Sequence, residues 1–180
     1  HKWVNDGTGG FINESLGTVS GSVYDLIIGE LNNDSSLDFV SIGGSSVYAW
    51  FNNGSGGFSK IELNTYPESL ISLDLNDFDG DGDNDIIIGD SVMSVYELIN
   101  DGLGNYTSRT LGTVAGRVWT LKSVDINGDG DIDFFSGDEG HHLFKWLSSG
   151  INDSATGGCC GDDAGEDWAA STSCCCNGGA

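Results

Sequence analysis

Basic residues are scarce in this chain. Six Lys plus Arg stand against 28 Asp plus Glu in 180 residues, a formal charge of −22. Phosphate backbones are bound through Lys and Arg that release counterions, so nucleic acid is not an expected partner. Proline is nearly absent, with one residue against 29 glycines, which excludes a proline-rich disordered chain and points to many tight turns. No apolar run approaches the roughly 20 residues that cross a bilayer, so no membrane span is expected. No segment has convincing helical spacing, and no Gly-x-Ser-x-Gly elbow, phosphate loop or His-Glu-x-x-His occurs. His141 and His142 are adjacent in an expected strand and point to opposite faces, so they do not share a metal or a substrate. The chain opens at His1 without an initiator Met or a signal peptide, which reads as a processed mature chain or a trimmed one.

What is present is enough for one ordinary domain: 38% of residues are hydrophobic and 10% aromatic, so the acidity is not a mark of disorder. The dominant feature is an internal repeat. Val47-Tyr-Ala-Trp-Phe-Asn-Asn-Gly-Ser-Gly-Gly-Phe58 aligns with Val95-Tyr-Glu-Leu-Ile-Asn-Asp-Gly-Leu-Gly-Asn-Tyr106 and with His1-Lys-Trp-Val-Asn-Asp-Gly-Thr-Gly-Gly-Phe11. A fourth copy begins at Phe144-Lys-Trp146 and fades. Trp3, Trp50, Leu98 and Trp146 thus recur 47 to 48 residues apart. An acidic element shares that period: Glu30–Asp38, Asp77–Asp85 and Asp125–Asp133.

Apolar residues alternate with period two before each acidic element, as in Tyr24, Leu26 and Ile28, in Ile71, Leu73 and Leu75, and in Trp119 and Leu121. After each element comes a continuous apolar run, Phe39-Val40, Ile86-Ile87-Ile88 or Phe134-Phe135, suited to a strand buried on both faces. A third strand (46–51, 92–99, 142–147) leads through an Asn/Asp-Gly turn to a fourth (11–16, 58–63, 106–111). The fold class is therefore all-β, built of tandem four-stranded antiparallel blades in the manner of a propeller.

The acidic loops carry the chemistry. Asp77, Asp79, Asp81 and Asp85 fall at positions 1, 3, 5 and 9 of one loop; Asp125, Asn127, Asp129 and Asp133 fall at the same positions of the next. Asp83 and Asp131, at position 7, would offer a backbone carbonyl. Glycines at positions 4 and 6 let the chain curl so that alternate residues converge, as a hard cation with six to eight oxygen ligands requires. Ca²⁺ fits better than Mg²⁺, which demands a strict octahedron. An EF-hand is excluded because position 12 holds Ile88 or Ser136 rather than Glu, and a strand follows. The first loop is degenerate. Glu30, Asn32, Asp34 and Asp38, with Ser36 at the carbonyl position, keep the ligand pattern, but Ser35 replaces the position-6 glycine. Two strong Ca²⁺ sites and one weaker site are expected. Three ions would bring the formal charge of −22 to −16.

These repeats resemble the FG-GAP and VCBS family, the calcium-binding blades of integrin-α-like propellers and of many secreted bacterial proteins. The likeness covers residues 1 to about 150, in units of about 3–49, 50–97 and 98–150. The Gly-Ala-Pro of the first type becomes Gly43-Gly44, Gly89-Asp90 and Gly137-Asp138, so the VCBS type is nearer. The resemblance implies adhesion, sugar binding or scaffolding, and usually no catalysis.

Three blade-equivalents are too few to close a ring of four to eight. Residues 11–16 have the pattern of a fourth strand whose own unit is incomplete, while the last unit loses the pattern after Gly150 before its fourth strand. Three outcomes follow: a fragment of a seven-bladed ring, head-to-tail association by strand complementation into a ring or filament, or an irregular completion after Gly150. Residues 151–180 form a Gly/Asp/Cys-rich tail with all five cysteines, Cys159, Cys160, Cys174, Cys175 and Cys176. Their clustering lacks the ligand spacing of zinc sites and suits a disulfide clasp with one thiol left over. Asn-x-Ser/Thr sequons at Asn13, Asn53, Asn105 and Asn152 suit either glycosylation or turn chemistry; a fifth, Asn33, lies inside an acidic loop. Trp50, Trp119 and Trp146 recur with the period expected of core residues, although they could stack on sugars. The expectation is a secreted, calcium-stabilised structural or adhesion module that forms a homo-oligomer or fibre and is not an enzyme. A lectin-like module that binds glycans is the alternative.

Overall fold

A computed structural model describes residues 1–148. Asn152 and the five cysteines lie outside the described residues. Among the described residues the chain forms thirteen strands and no helix.

The strands make four antiparallel sheets in chain order. The first is a hairpin of β1 (Lys2–Asn5) and β2 (Phe11–Glu14). The second holds β3 (Val23–Gly29), β4 (Asp38–Gly43), β5 (Ser46–Asn52) and β6 (Phe58–Thr65). The third repeats that order with β7 (Leu70–Asn76), β8 (Asp85–Asp90), β9 (Ser94–Asn100) and β10 (Tyr106–Thr113). The fourth has β11 (Val118–Val124), β12 (Asp133–Asp138) and β13 (Leu143–Trp146). The chain is all-β with propeller-like repeats, as its periodicity predicts. The hydrogen bonding also sets the phase: a sheet begins with the strand that precedes an acidic loop.

The second, third and fourth sheets pack face to face in turn. Ile86 and Ile88 of β8 join a buried cluster with Val40, Ile42, Val47 and Ala49 of the second sheet. Ile87, on the opposite face of the same strand, joins a second cluster with Val118, Leu121 and Phe134 of the fourth sheet. A period of two thus splits one apolar run between two interfaces. Polar ties run between the first strands of adjacent sheets. Asp25 Oδ2 accepts from the Leu73 N–H at 3.1 Å. Asp74 accepts from the Ser123 N–H at 2.6 Å and pairs with Lys122 at 3.0 Å.

Two expectations about the core are revised. The first ladder of the second, third and fourth sheets slips register at Val23/Asp25, Leu70/Ser72 and Val118/Thr120, so Tyr24, Ile71 and Trp119 have no cross-strand partner. A bulge decouples such a residue from the alternation that follows it. Trp119 is half exposed, with the Arg117 guanidinium 4.9 Å from its ring centre, whereas Ile71 at the equivalent slip and Trp50 are buried. Leu26 and Ile28, which match buried or half-buried residues of β7, are 54% and 63% exposed because no described sheet covers their face of β3.

The difference is measurable. Ile86→Ala removes side-chain atoms from a fully enclosed site and should lower unfolding free energy by about 3 kcal/mol. Leu26→Ala at its exposed site should cost less than about 1 kcal/mol. Equilibrium urea unfolding of the two variants compares them directly; equal losses would contradict this arrangement of sheets.

Candidate metal centres

The acidic loops join the first and second strands of the second, third and fourth sheets. In the second loop, carboxylate oxygens of Asp77, Asp79 and Asp85 lie within 4.8 Å of one another. Gly80 and Gly82 turn the chain through φ of 78° and 98°, a region glycine enters without strain. The turn aims N–H groups inward: Asp77 Oδ1 accepts from Gly80 at 2.8 Å, and its Oδ2 accepts from Gly82 at 3.0 Å. Asp81, the fifth-position residue, lies outside the triplet and accepts from the Asp83 N–H at 2.9 Å.

The ninth aspartate has a recurring second duty. Asp85 Oδ2 accepts from the Phe78 N–H at 3.0 Å and Oδ1 from the Asn100 N–H at 2.7 Å. Asp133 does the same with Ile126 at 3.1 Å and Ser148 at 2.7 Å. Asp38 repeats it with Leu31 at 3.2 Å and Asn52 at 2.7 Å. Each of these buried carboxylates staples the head of its loop to the end of the third strand. Both oxygens keep a lone pair beyond these bonds.

The third loop copies the second: Asp125 accepts from Gly128 and Gly130 at 2.6 and 3.1 Å, Asn127 from Asp129 at 3.0 Å, and Asp129 from the Asp131 N–H at 2.9 Å. With Asn127 at position three, no second triplet of acidic or histidine side chains as tight as the first occurs among the described residues. The first loop reaches the same shape at a cost. Asn33 and Ser35 take φ of 59° and 67° where the other loops have glycine. Glu30, longer by one carbon, accepts from the N–H groups of Asn32 and Ser35 at 3.0 and 2.6 Å. Asp34 accepts from the Ser36 N–H at 2.7 Å. Asn32 Oδ1 is buried and accepts no hydrogen bond from any described residue.

Burial raises the Asp85 carboxyl to about 6, against the pull of the Asn100 and Phe78 N–H groups; Asp79 adds like charge. Burial likewise raises Asp38 and Asp79. The exposed Asp129 goes the other way, held low chiefly by the Asp131 N–H. Tyr106, whose hydroxyl is buried without a described partner, is raised by burial and by the charges of Asp85 and Asp38. An all-oxygen acidic donor set with one buried carboxylate suits a hard divalent cation, which would offset the like-charge repulsion. The unpartnered Asn32 oxygen fits the same chemistry.

Contacts between loops were not legible in the sequence. The Asn33 amide donates to Asp83 Oδ1 at 2.7 Å. Asn84 donates to the Glu30 carbonyl at 2.9 Å, and Asn100 to the Leu31 carbonyl at 3.0 Å. Asn52 stands at the position of Asn100 in the preceding sheet, and that recurrence was the available signal. Of the sequons, Asn13, Asn53 and Asn105 are exposed. Asn53 Oδ1 accepts from Ser55 and Gly57 N–H groups, both at 3.0 Å. Asp101 holds the equivalent turn at 2.9 and 3.1 Å, and Asp6 caps its own turn in the same way.

The sequence profile of the FG-GAP-like repeat matches residues 30–88 and again 77–136. No curated protein is similar in sequence. In fold, the chain is similar to an Agrocybe aegerita lectin that recognises non-reducing terminal N-acetylglucosamine, with a TM-score of 0.52 and 20% identity. The similarity covers 74% of this chain and 39% of the lectin, so the chain spans about two-fifths of that protein. At this identity the likeness concerns the fold.

Two outcomes are expected. Ser35→Gly relieves a left-handed serine and should stabilise the fold by about 1 kcal/mol, read by thermal unfolding; a loss of stability would show that the serine is there for another reason. The folded-state value of Asp85 exceeds its ordinary 3.8, so the native state holds that proton more tightly than the unfolded chain. In chelator, its contribution to stability should therefore fall as pH rises from about 4 to 6. Apparent cation affinity should rise over the same window, because binding needs the ionised form. Isothermal titration at pH 5 and 7 with equal affinities would contradict this.

Proposed function

Starting from the membership of this chain in the FG-GAP-like repeat family, we propose that it is an extracellular, calcium-stabilised structural and adhesion module that assembles with copies of itself and performs no catalysis. The observation that carries the calcium reading is the convergence of Asp77, Asp79 and Asp85 on one point, with Asp85 fully buried. Asp81 and the Asp83 carbonyl would complete that ligand set. Asp125, Asn127, Asp129, Asp131 and Asp133 would supply the second strong site, and Glu30, Asn32, Asp34, Ser36 and Asp38 the weaker one. A bound ion there would supply charge neutralisation, fixing the curl of each loop and through it the pairing of the first two strands. Sites of this kind suit the high calcium outside cells. In that compartment, the exposed Asn13, Asn53 and Asn105 would be open to glycosylation and the tail cysteines to disulfide formation.

A second reading, glycan binding, is favoured by Trp119, which presents a half-exposed ring beside Arg117, and by the fold shared with a lectin. Aromatic faces pack against apolar sugar faces. Binding of the monomer on a glycan array, abolished by Trp119→Ala, would support this reading over the structural one.

The test of the calcium reading is a titration followed by calorimetry and thermal unfolding. An ion present at a hundred times its Kd stabilises by about 2.7 kcal/mol per site. Chelator should therefore lower Tm by several degrees, and Asp79→Ala should remove one strong site from the binding isotherm. An unchanged Tm in chelator would refute the proposal.

A further inference from the structure

The second sheet carries a cross-strand row, Ile28, Phe39 and Trp50, aligned by its ladders. The third sheet repeats this row as Leu75, Ile86 and Leu98, and the fourth as Ser123, Phe134 and Trp146. In the third and fourth sheets the row is covered by the preceding sheet: Ile86 and Leu98 by Val40, Ile42, Val47 and Ala49, and Phe134 and Trp146 by Ile87 and Val95. The first row has only the two-stranded hairpin before it. A groove of about 560 Å³ opens there, lined by Leu16, Val23, Leu26, Ile28, Phe39 and Trp50 among others.

Among the described residues, no sheet covers the opposite side of the fourth sheet. Its far face shows Val124, Phe135 and Leu143, which are 50%, 41% and 82% exposed. Beyond β13 no fourth strand pairs among the described residues. The hairpin also duplicates part of this sheet. Lys2-Trp3 of β1 and Lys145-Trp146 of β13 are equivalent in the repeat. In the hairpin Lys2 stands opposite Glu14, forms a 2.8 Å ion pair with it, and donates to the Gly56 carbonyl of the second sheet at 2.9 Å. Trp3, Phe11 and Ile12 are all more than 60% exposed, so little holds the hairpin in place.

Resting on the self-association proposed above, we infer that the groove receives the fourth sheet of a second copy, and that β13 of that copy displaces β1 beside β2. The exchange builds one sheet in the order β11, β12, β13, β2, with the strand count of the complete sheets. Lys145 of the incoming copy takes over the Glu14 ion pair and the Gly56 carbonyl, and its Trp146 stands opposite Asn13. Phe135 and Leu143 then cover Leu26, Ile28 and Phe39, as Val40 and Ile42 cover Ile86 and Ile88 within the chain. The contact is heterologous, so it propagates into a ring or a filament. The described residues of two copies would together supply six four-stranded sheets, within the four to eight of closed propellers. Lys145 is one of only six basic residues on a chain of charge −22, and the pairing sets it against an acid of the partner, which favours this register over others.

Sedimentation velocity of the full chain in calcium tests the inference. Leu26→Asp blocks the groove and Phe135→Asp blocks the opposite face; both sites are exposed in the single chain, so each variant should keep the wild-type circular dichroism and calcium isotherm. Each alone should be monomeric. Their equimolar mixture should form a one-to-one dimer and nothing larger, because one intact groove and one intact face remain. Lys145→Glu should weaken association roughly two- to fivefold, the scale of an exposed ion pair, and Glu14→Lys combined with Lys145→Glu should restore it. Wild type forming discrete dimers or a ladder of sizes supports the contact, the first as a ring and the second as a filament. Oligomers that persist in both aspartate variants would overturn this contact while leaving self-association standing. A calcium-loaded wild-type monomer would overturn both, and absence of calcium binding would count against the metal reading alone.

Discussion

Three buried carboxylates, Asp38, Asp85 and Asp133, carry the architecture. Each opens the second strand of its sheet and accepts N–H groups from the loop before it and from the end of the third strand. A carboxylate without solvent is costly to keep charged, and two to four further acidic groups share each loop. The same residues that fix the curl of the loop also make it unstable by itself. A divalent cation would resolve this conflict, and the proposed function would then follow from the electrostatics of folding rather than from a separate site placed on a finished scaffold.

Much of this was legible in the sequence because the repeat supplied three readings of one pattern. The strands β5, β6, β9 and β10 fall within two residues of their expected bounds, set by alternation and by Asn/Asp-Gly turns. The run Ile86-Ile87-Ile88 announced a strand covered on both sides. What stayed hidden depended on neighbours. Leu26 and Ile28 alternate as convincingly as Leu73 and Leu75, yet burial is decided by whether another sheet is present. Trp119 shares its period with Ile71, but a bulge leaves both outside the ladder, and alternation cannot register one inserted residue.

The loops show the same division. Ligand positions could be counted along the chain, and Ser35 identified the first loop as degenerate. The bridges of Asn33 to Asp83 and of Asn84 to the Glu30 carbonyl join residues 50 and 54 apart and required the packed structure. They tie adjacent loops directly, so the geometry of one loop is held partly by the next. The second duty of the ninth aspartate was also hidden, since counting ligands does not distinguish a residue that only binds from one that also staples.

The split of Ile86, Ile87 and Ile88 between two clusters has an evolutionary side. Among the described residues, the two buried clusters join the second sheet to the third and the third to the fourth, the arrangement of a stack in which stability accumulates by nearest neighbours. A unit can be duplicated or deleted in the gene without redesigning any other, provided its two faces are kept. Selection on length and selection on sequence are therefore nearly independent in such a chain.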